Sequence, residues 1–161
     1  MLNVCLRYSH DRDEAEDILQ EGFIKVFRHL HTFKKSGTLE NWIRRIMVNE
    51  AINLIRKNKK QQMFEYIDEI NENEIPEPFE SMQVLTTPPA EVLMSMIQSL
   101  SPGYRMIFNL FVFEEFSHKE IASQLGISEN TSKTQLRKAR KALIKMLLTK
   151  KQIMPIVVHH G

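Results

Sequence analysis

The chain has 161 residues, with 22 Lys+Arg against 20 Asp+Glu, 42% hydrophobic and 26% charged residues. That length fits one ordinary domain or two small ones, and the composition is globular rather than disordered, collagen-like or disulfide-dense. Cys5 is the single cysteine, which excludes an internal disulfide. No apolar run approaches the roughly 20 residues of a membrane-spanning helix. The start MLNVCLRYSHDRD has no signal-peptide pattern. The expectation is a soluble, cytoplasmic protein with no membrane partner.

The net charge of +2 hides a sharper pattern: residues 1–24 sum to −4, residues 25–60 to +8, residues 61–91 to −8 and residues 92–161 to +6. Two basic blocks separated by an acidic one point to two polyanion-binding modules on a tether.

In chain order, a short opening helix is predicted over Leu2–Tyr8. Asp11 with Glu14, or Asp13 with Glu16, caps a long helix on which Ala15, Ile18, Leu19, Phe23, Val26, Phe27 and Leu30 recur at steps of three and four. Gly37 breaks the pattern. Thr38 caps a second long helix through Trp42, Ile43, Ile46, Met47, Ala51, Leu54 and Ile55, with Trp42 assigned mainly to the core. Pro76, Pro78, Pro88 and Pro89 fall in the acidic block and forbid a continuous helix there, so residues 61–91 read as a flexible, extended linker.

Val92, Leu93, Met96, Ile97 and Leu100 form the next apolar face. Ser101 and Pro102 open a helix through Phe113. Ser117 and Glu120 form a capping box for a short helix that Gly126 stops, and Ser128 caps a last helix to about Leu148. No segment alternates with period two, so the fold class is all-α. The expected domains are 1–60, then the 61–91 linker, then 92–150, with a tail over 151–161.

The segment FSHKEIASQLGISENTSKTQLRKARKAL has the layout of a helix-turn-helix, whose second helix enters a DNA major groove. Ser132, Leu136, Ala139, Leu143 and Leu147 make an inward stripe. Lys133, Arg137, Arg140, Lys141 and Ile144 face outward, with Thr134 and Lys138 beside them. Such donors reach phosphates and base edges.

On these residues the chain resembles the sigma factors of bacterial RNA polymerase, of the small two-domain extracytoplasmic-function type. AEDILQEGFIKVFRHLHTF with ENWIRRIMVNEAINLIRK resembles the family's second region, and LSPGYRMIFNLFVFEEFSHKEIASQLGISENTSKTQLRKARKAL its fourth. The resemblance implies a promoter-specificity subunit that docks on the clamp helices of the polymerase's largest subunit through Asp17, Gln20, Glu21 and Ile24. It implies contacts to the promoter −10 element from Lys34, Lys35, Asn49, Asn53, Arg56 and Lys57. Contacts to the −35 element fall to Lys133, Thr134, Arg137, Lys138, Arg140 and Lys141. Core polymerase, promoter DNA and an anti-sigma factor are the implied partners.

Compared with the family, the first helix is short, and the tail KKQIMPIVVHHG has no counterpart. No P-loop, zinc spacing or nucleophile motif is present, so neither an enzyme nor a cofactor is expected, and adjacent His159 and His160 do not form a metal site. The competing reading is a free-standing helix-turn-helix regulator that binds DNA without polymerase. The Lys/Asn/Arg-rich helix beside an acidic one argues against it.

Overall fold

The protein is described from a computed structural model, which covers residues 1–34, 36–58 and 88–153. Residues 61–87 of the expected linker and most of the expected tail lie outside the described residues, whereas Ala90 and Glu91, expected in the linker, begin a helix behind Pro89. The described chain forms seven helices: α1 (Leu2–Tyr8), α2 (Arg12–His29, continued by a 3-10 turn over Leu30–Thr32), α3 (Leu39–Asn58), α4 (Ala90–Ser99), α5 (Pro102–Val112), α6 (His118–Leu125) and α7 (Glu129–Ile153). No strand occurs among the described residues, and the fold is all-α. None of the described helices is long and apolar enough to cross a membrane.

The helix starts follow from side chains that take up orphan amides. Asp11 accepts from the Glu14 amide at 2.9 Å, and Thr38 from the Asn41 amide at 3.2 Å. Ser117 and Glu120 close the reciprocal capping box. Ser128 accepts from the Thr131 amide at 3.0 Å. Ser101 occupies the N-cap of α5 without a side-chain capping bond, and Pro102 supplies the favourable first position. Gly126 ends α6 at φ 68°, a left-handed conformation that a β-carbon disfavours.

The α2 and α3 helices approach so closely at Gly22 that a β-carbon there would collide with Met47 Sδ. Around this contact Ala15, Ile18, Val26, Met47, Val48, Ala51 and Ile52 are buried. The second module packs α7 against α4, α5 and α6. A small cluster of Met96, Leu100, Tyr104, Ala139 and Leu143 closes its outer part. The larger core is continuous across both modules: Cys5 and Tyr8 of α1 share it with Met106, Ile107 and Leu110 of α5. The α7 helix runs to Ile153, past the expected end near Leu148.

Two residues of the predicted α2 core stripe lie at the surface instead, Phe27 at 74% exposure and Leu30 at 45%. At about 100° per residue, Phe27 projects well away from the arc of Ala15, Ile18, Gly22 and Val26. Helices α1 and α3 both pack against α2, and Phe27 lies outside the covered arc.

Candidate nucleic-acid and polymerase interfaces

Three surfaces hold the residues singled out from sequence. On α2, Asp17, Gln20, Glu21 and Ile24 are all exposed on the side away from α3. Phe27, one turn beyond Ile24, extends the same face, and its ring lies 6.4 Å from that of Phe23. The face therefore grades from carboxylates and an amide at one end to an uncovered aromatic ring at the other. Sequence reasoning missed Phe27 and Leu30 here because their spacing also fits a core stripe.

The second surface surrounds a pocket of ≈ 270 Å³ between α2 and α3, lined by Lys25, His29, Thr32, Trp42, Ile46, Asn49, Glu50 and Asn53. Trp42 is half-buried, with its ring 5.6 Å from Phe33, so it serves both core and pocket wall. Asn49 and Asn53 are exposed one turn apart at the pocket. Lys25 and Glu50 form an ion pair across it. Arg56 and Lys57 are exposed beyond it at the end of α3, and Lys34 is exposed in the loop before α3. Lys35 lies outside the described residues. Lys25, His29, Thr32 and Glu50 were not anticipated, because the pocket joins two helices whose residues are far apart in sequence.

The third surface is the helix-turn-helix. Lys133, Thr134, Arg137 and Arg140 are exposed on α7, and Lys141 is half-exposed. Arg140 is held with its guanidinium carbon 5.7 Å from the centre of the Phe111 ring. Lys138 does not join them: it is 8% exposed, as Gln135 is at 2%. Packing by α4, α5 and α6 buries an arc wider than the single stripe read from sequence. The aliphatic stem of a lysine tolerates such burial.

Beneath this face lies an unanticipated cluster. The His118 ring stacks on Phe111 at 4.7 Å, and its Nδ1 lies 2.9 Å from Ser132 Oγ. Burial, then the neighbouring charge of Lys133, lowers the His118 pKa from its ordinary value. Arg140 adds to that effect and Glu129 opposes it. In sequence, His118 is only the second residue of a capping box.

The order of these surfaces along the chain matches one family. Residues 1–61 match the family model of sigma-70 region 2, and residues 90–143 that of sigma-70 region 4. The chain belongs to the extracytoplasmic-function sigma factors. It is 29% identical over 140 residues to the extracytoplasmic-function RNA polymerase sigma factor SigM of Bacillus subtilis, covering 86% of this chain and 82% of that protein. It is 28% identical over 158 residues to the RNA polymerase sigma-H factor of Pseudomonas aeruginosa, covering 91% and 80%. Its fold resembles the sigma factor RpoE in the co-crystal structure with the anti-sigma factor NepR from Bartonella quintana. That match has a TM-score of 0.53 and 22% identity, and covers 92% of this chain and 89% of that one. This protein is thus an RNA polymerase sigma factor, a DNA-recognition subunit of transcription initiation, and the free-standing regulator is not favoured.

Proposed function

We propose that this sigma factor docks on the clamp helices of the largest polymerase subunit through Asp17, Gln20, Glu21 and Ile24, with Phe27 and Leu30 as an apolar extension. The observation that carries this is the exposed α2 face itself. A helix that only complements its own dipole keeps its acids in the first turn. Gln20 and Glu21 lie well beyond it, beside an uncovered aromatic ring.

The −10 element is engaged by Asn49 and Asn53 at the Trp42 pocket, by Lys34, Arg56 and Lys57 outside it, and by Lys35, which lies outside the described residues. Asn amides there can hydrogen-bond the edge of an extruded base, and Trp42 offers it a stacking wall. The −35 duplex is engaged by Lys133, Thr134 and Arg137 in the groove, and by Arg140 and Lys141 on phosphates. Lys138 is assigned to packing. The protein acts in the cytoplasm, performs no chemistry of its own and needs no cofactor. An anti-sigma partner is proposed because the structural neighbour was solved with one.

The test is core-polymerase binding and reconstituted transcription. Asp17→Ala and Glu21→Ala should each weaken polymerase binding by about 2–5 kcal/mol if their carboxylates are buried at the interface. Promoter-dependent transcripts should be lost, with helicity and −35 duplex affinity retained. Unchanged transcription by both variants would sink the assignment of this face.

A further inference from the structure

Three helices of the second module meet at one aromatic ring. Phe111 of α5 carries the His118 imidazole stacked on it at 4.7 Å, and the Arg140 guanidinium carbon lies 5.7 Å from its centre. His118 is the first residue of α6, and Arg140 stands near the middle of α7. One ring thus sets a titratable group beside a permanent cation.

His118 is fixed as well as placed. Its Nδ1 lies 2.9 Å from Oγ of the fully buried Ser132. One ring nitrogen is spent inside the protein, and Nε2 is the one left to meet a ligand. The residue is only half-buried, so part of the ring reaches the surface.

The charges that act on this ring from α7 are Lys133, Arg140 and Glu129. On its own helix Lys119 is its neighbour, while the Glu120 carboxylate is occupied by the Ser117 amide at 2.8 Å and hydroxyl at 2.7 Å. From α5 it meets the uncharged Phe111. Burial first, and then the α7 cations, disfavour a further positive charge, so the free protein holds the imidazole neutral more readily than an ordinary histidine.

An anion would reverse that balance. A phosphate beside Arg140 and Lys133 offsets their charge, and an imidazolium next to it gains a charge-assisted hydrogen bond through Nε2. The first helix of a helix-turn-helix crosses the DNA backbone while the second lies in the groove. His118 opens the first of these helices and Arg140 belongs to the second, so one backbone phosphate between them satisfies both placements.

We propose that His118 and Arg140, set on Phe111, hold one phosphate of a bound duplex, and that His118 takes up a proton as it does so. The site rests on the reading that α7 meets a duplex, but not on which bases it reads, because a phosphate carries no sequence. The sign follows from linkage. DNA raises the His118 pKa, so the complex holds more protons than the free protein, and affinity rises as pH falls between the two values. Above both values the ring is neutral in either state, below both it is charged in either state, and the response of His118 is flat. Each unit by which DNA raises the pKa strengthens binding about tenfold across the window.

The test is duplex binding by the full chain, read by fluorescence anisotropy at fixed ionic strength from about pH 8 to about pH 5, where histidine titrates. The parent protein should bind several-fold more tightly at the acid end. His118→Gln, which cannot titrate, should lose that gain, and His118→Phe, which keeps an aromatic stack, should lose it too. If His118→Gln does not fold by circular dichroism, His118→Phe carries the test. Replacing the duplex phosphates one at a time by neutral methylphosphonates should find one position that abolishes the acid gain, and there Arg140→Ala should cost nothing further. A parent protein that gains nothing on acidification would overturn the site, as would His118 variants that gain as much as the parent. So would separate phosphate positions for the His118 and Arg140 effects. None of these results touches the −35 assignment, which fails instead if Arg137→Ala leaves duplex preference unchanged.

Discussion

Glu115 adopts φ 57° in the turn after α5, in the left-handed region where a side chain is strained. The turn needs that conformation, because the Phe116 amide reaches back to the Leu110 carbonyl at 3.0 Å to close the helix end. Glu115→Gly should raise stability by about 1 kcal/mol, read as a higher denaturation midpoint at unchanged slope. The opposite holds at Gly22. Alanine there would drive a β-carbon into the fully buried Met47. Gly22→Ala should cost about 1–3 kcal/mol, and a smaller Val at position 47 should recover part of it. A midpoint unmoved by Gly22→Ala would mean that α2 and α3 part easily. Neither position announces itself in the sequence equally well: Gly22 sits inside a clear apolar stripe, whereas Glu115 stands where a turn of this kind usually carries glycine.

At the scale of the helices, the proposed −35 assignment divides the cations of α7 between two jobs. In that assignment Arg140 contacts the backbone of the duplex, so Arg140→Ala should weaken all sequences alike and reduce the slope of log K against log salt by about 0.9. In the same assignment Arg137 contacts base edges, so Arg137→Ala should cost about 1–3 kcal/mol and relax preference at one position. Fluorescence anisotropy on a set of −35 duplexes across a salt series separates the two. Identical profiles for both variants would refute the division. Helix beginnings were legible in advance because the capping groups are local: Asp11, Thr38, Ser117 and Ser128 bind amides three residues away. Burial was less legible. Periodicity reports which residues share a face, but not how many neighbours cover it. Periodicity alone therefore puts Lys138 outside and Phe27 inside, and the structure reverses both.

At the scale of the whole molecule, charge and proline in the sequence predict two modules on a tether. In the structure they share a core in which α1 is joined to α5 by Tyr8, Met106, Ile107 and Leu110. The contact between the modules was invisible in the sequence because its partners are far apart: Glu114, whose carboxylate accepts from two arginines of the first module, is 107 residues from Arg7 and 70 from Arg44. The helix-turn-helix, by contrast, is made of near neighbours and could be read directly. A shared core predicts that the free protein at low salt melts in one transition, with matching calorimetric and van't Hoff enthalpies. Two resolved transitions under those conditions would show that the modules fold independently.

The Glu114 carboxylate has a consequence for how substitutions in this chain combine. One acceptor serves two donors, so losing Arg7 leaves Arg44 a stronger claim on it, and losing Glu114 strands both arginines at once. Single-site effects at these three positions will therefore not add, and interaction energies between contacting residues are commonly about 0.5–3 kcal/mol. A substitution at Arg7 that is harmless in one background can be damaging in another that differs only at position 44. Sequence drift in the first module is thereby tied to drift in the second.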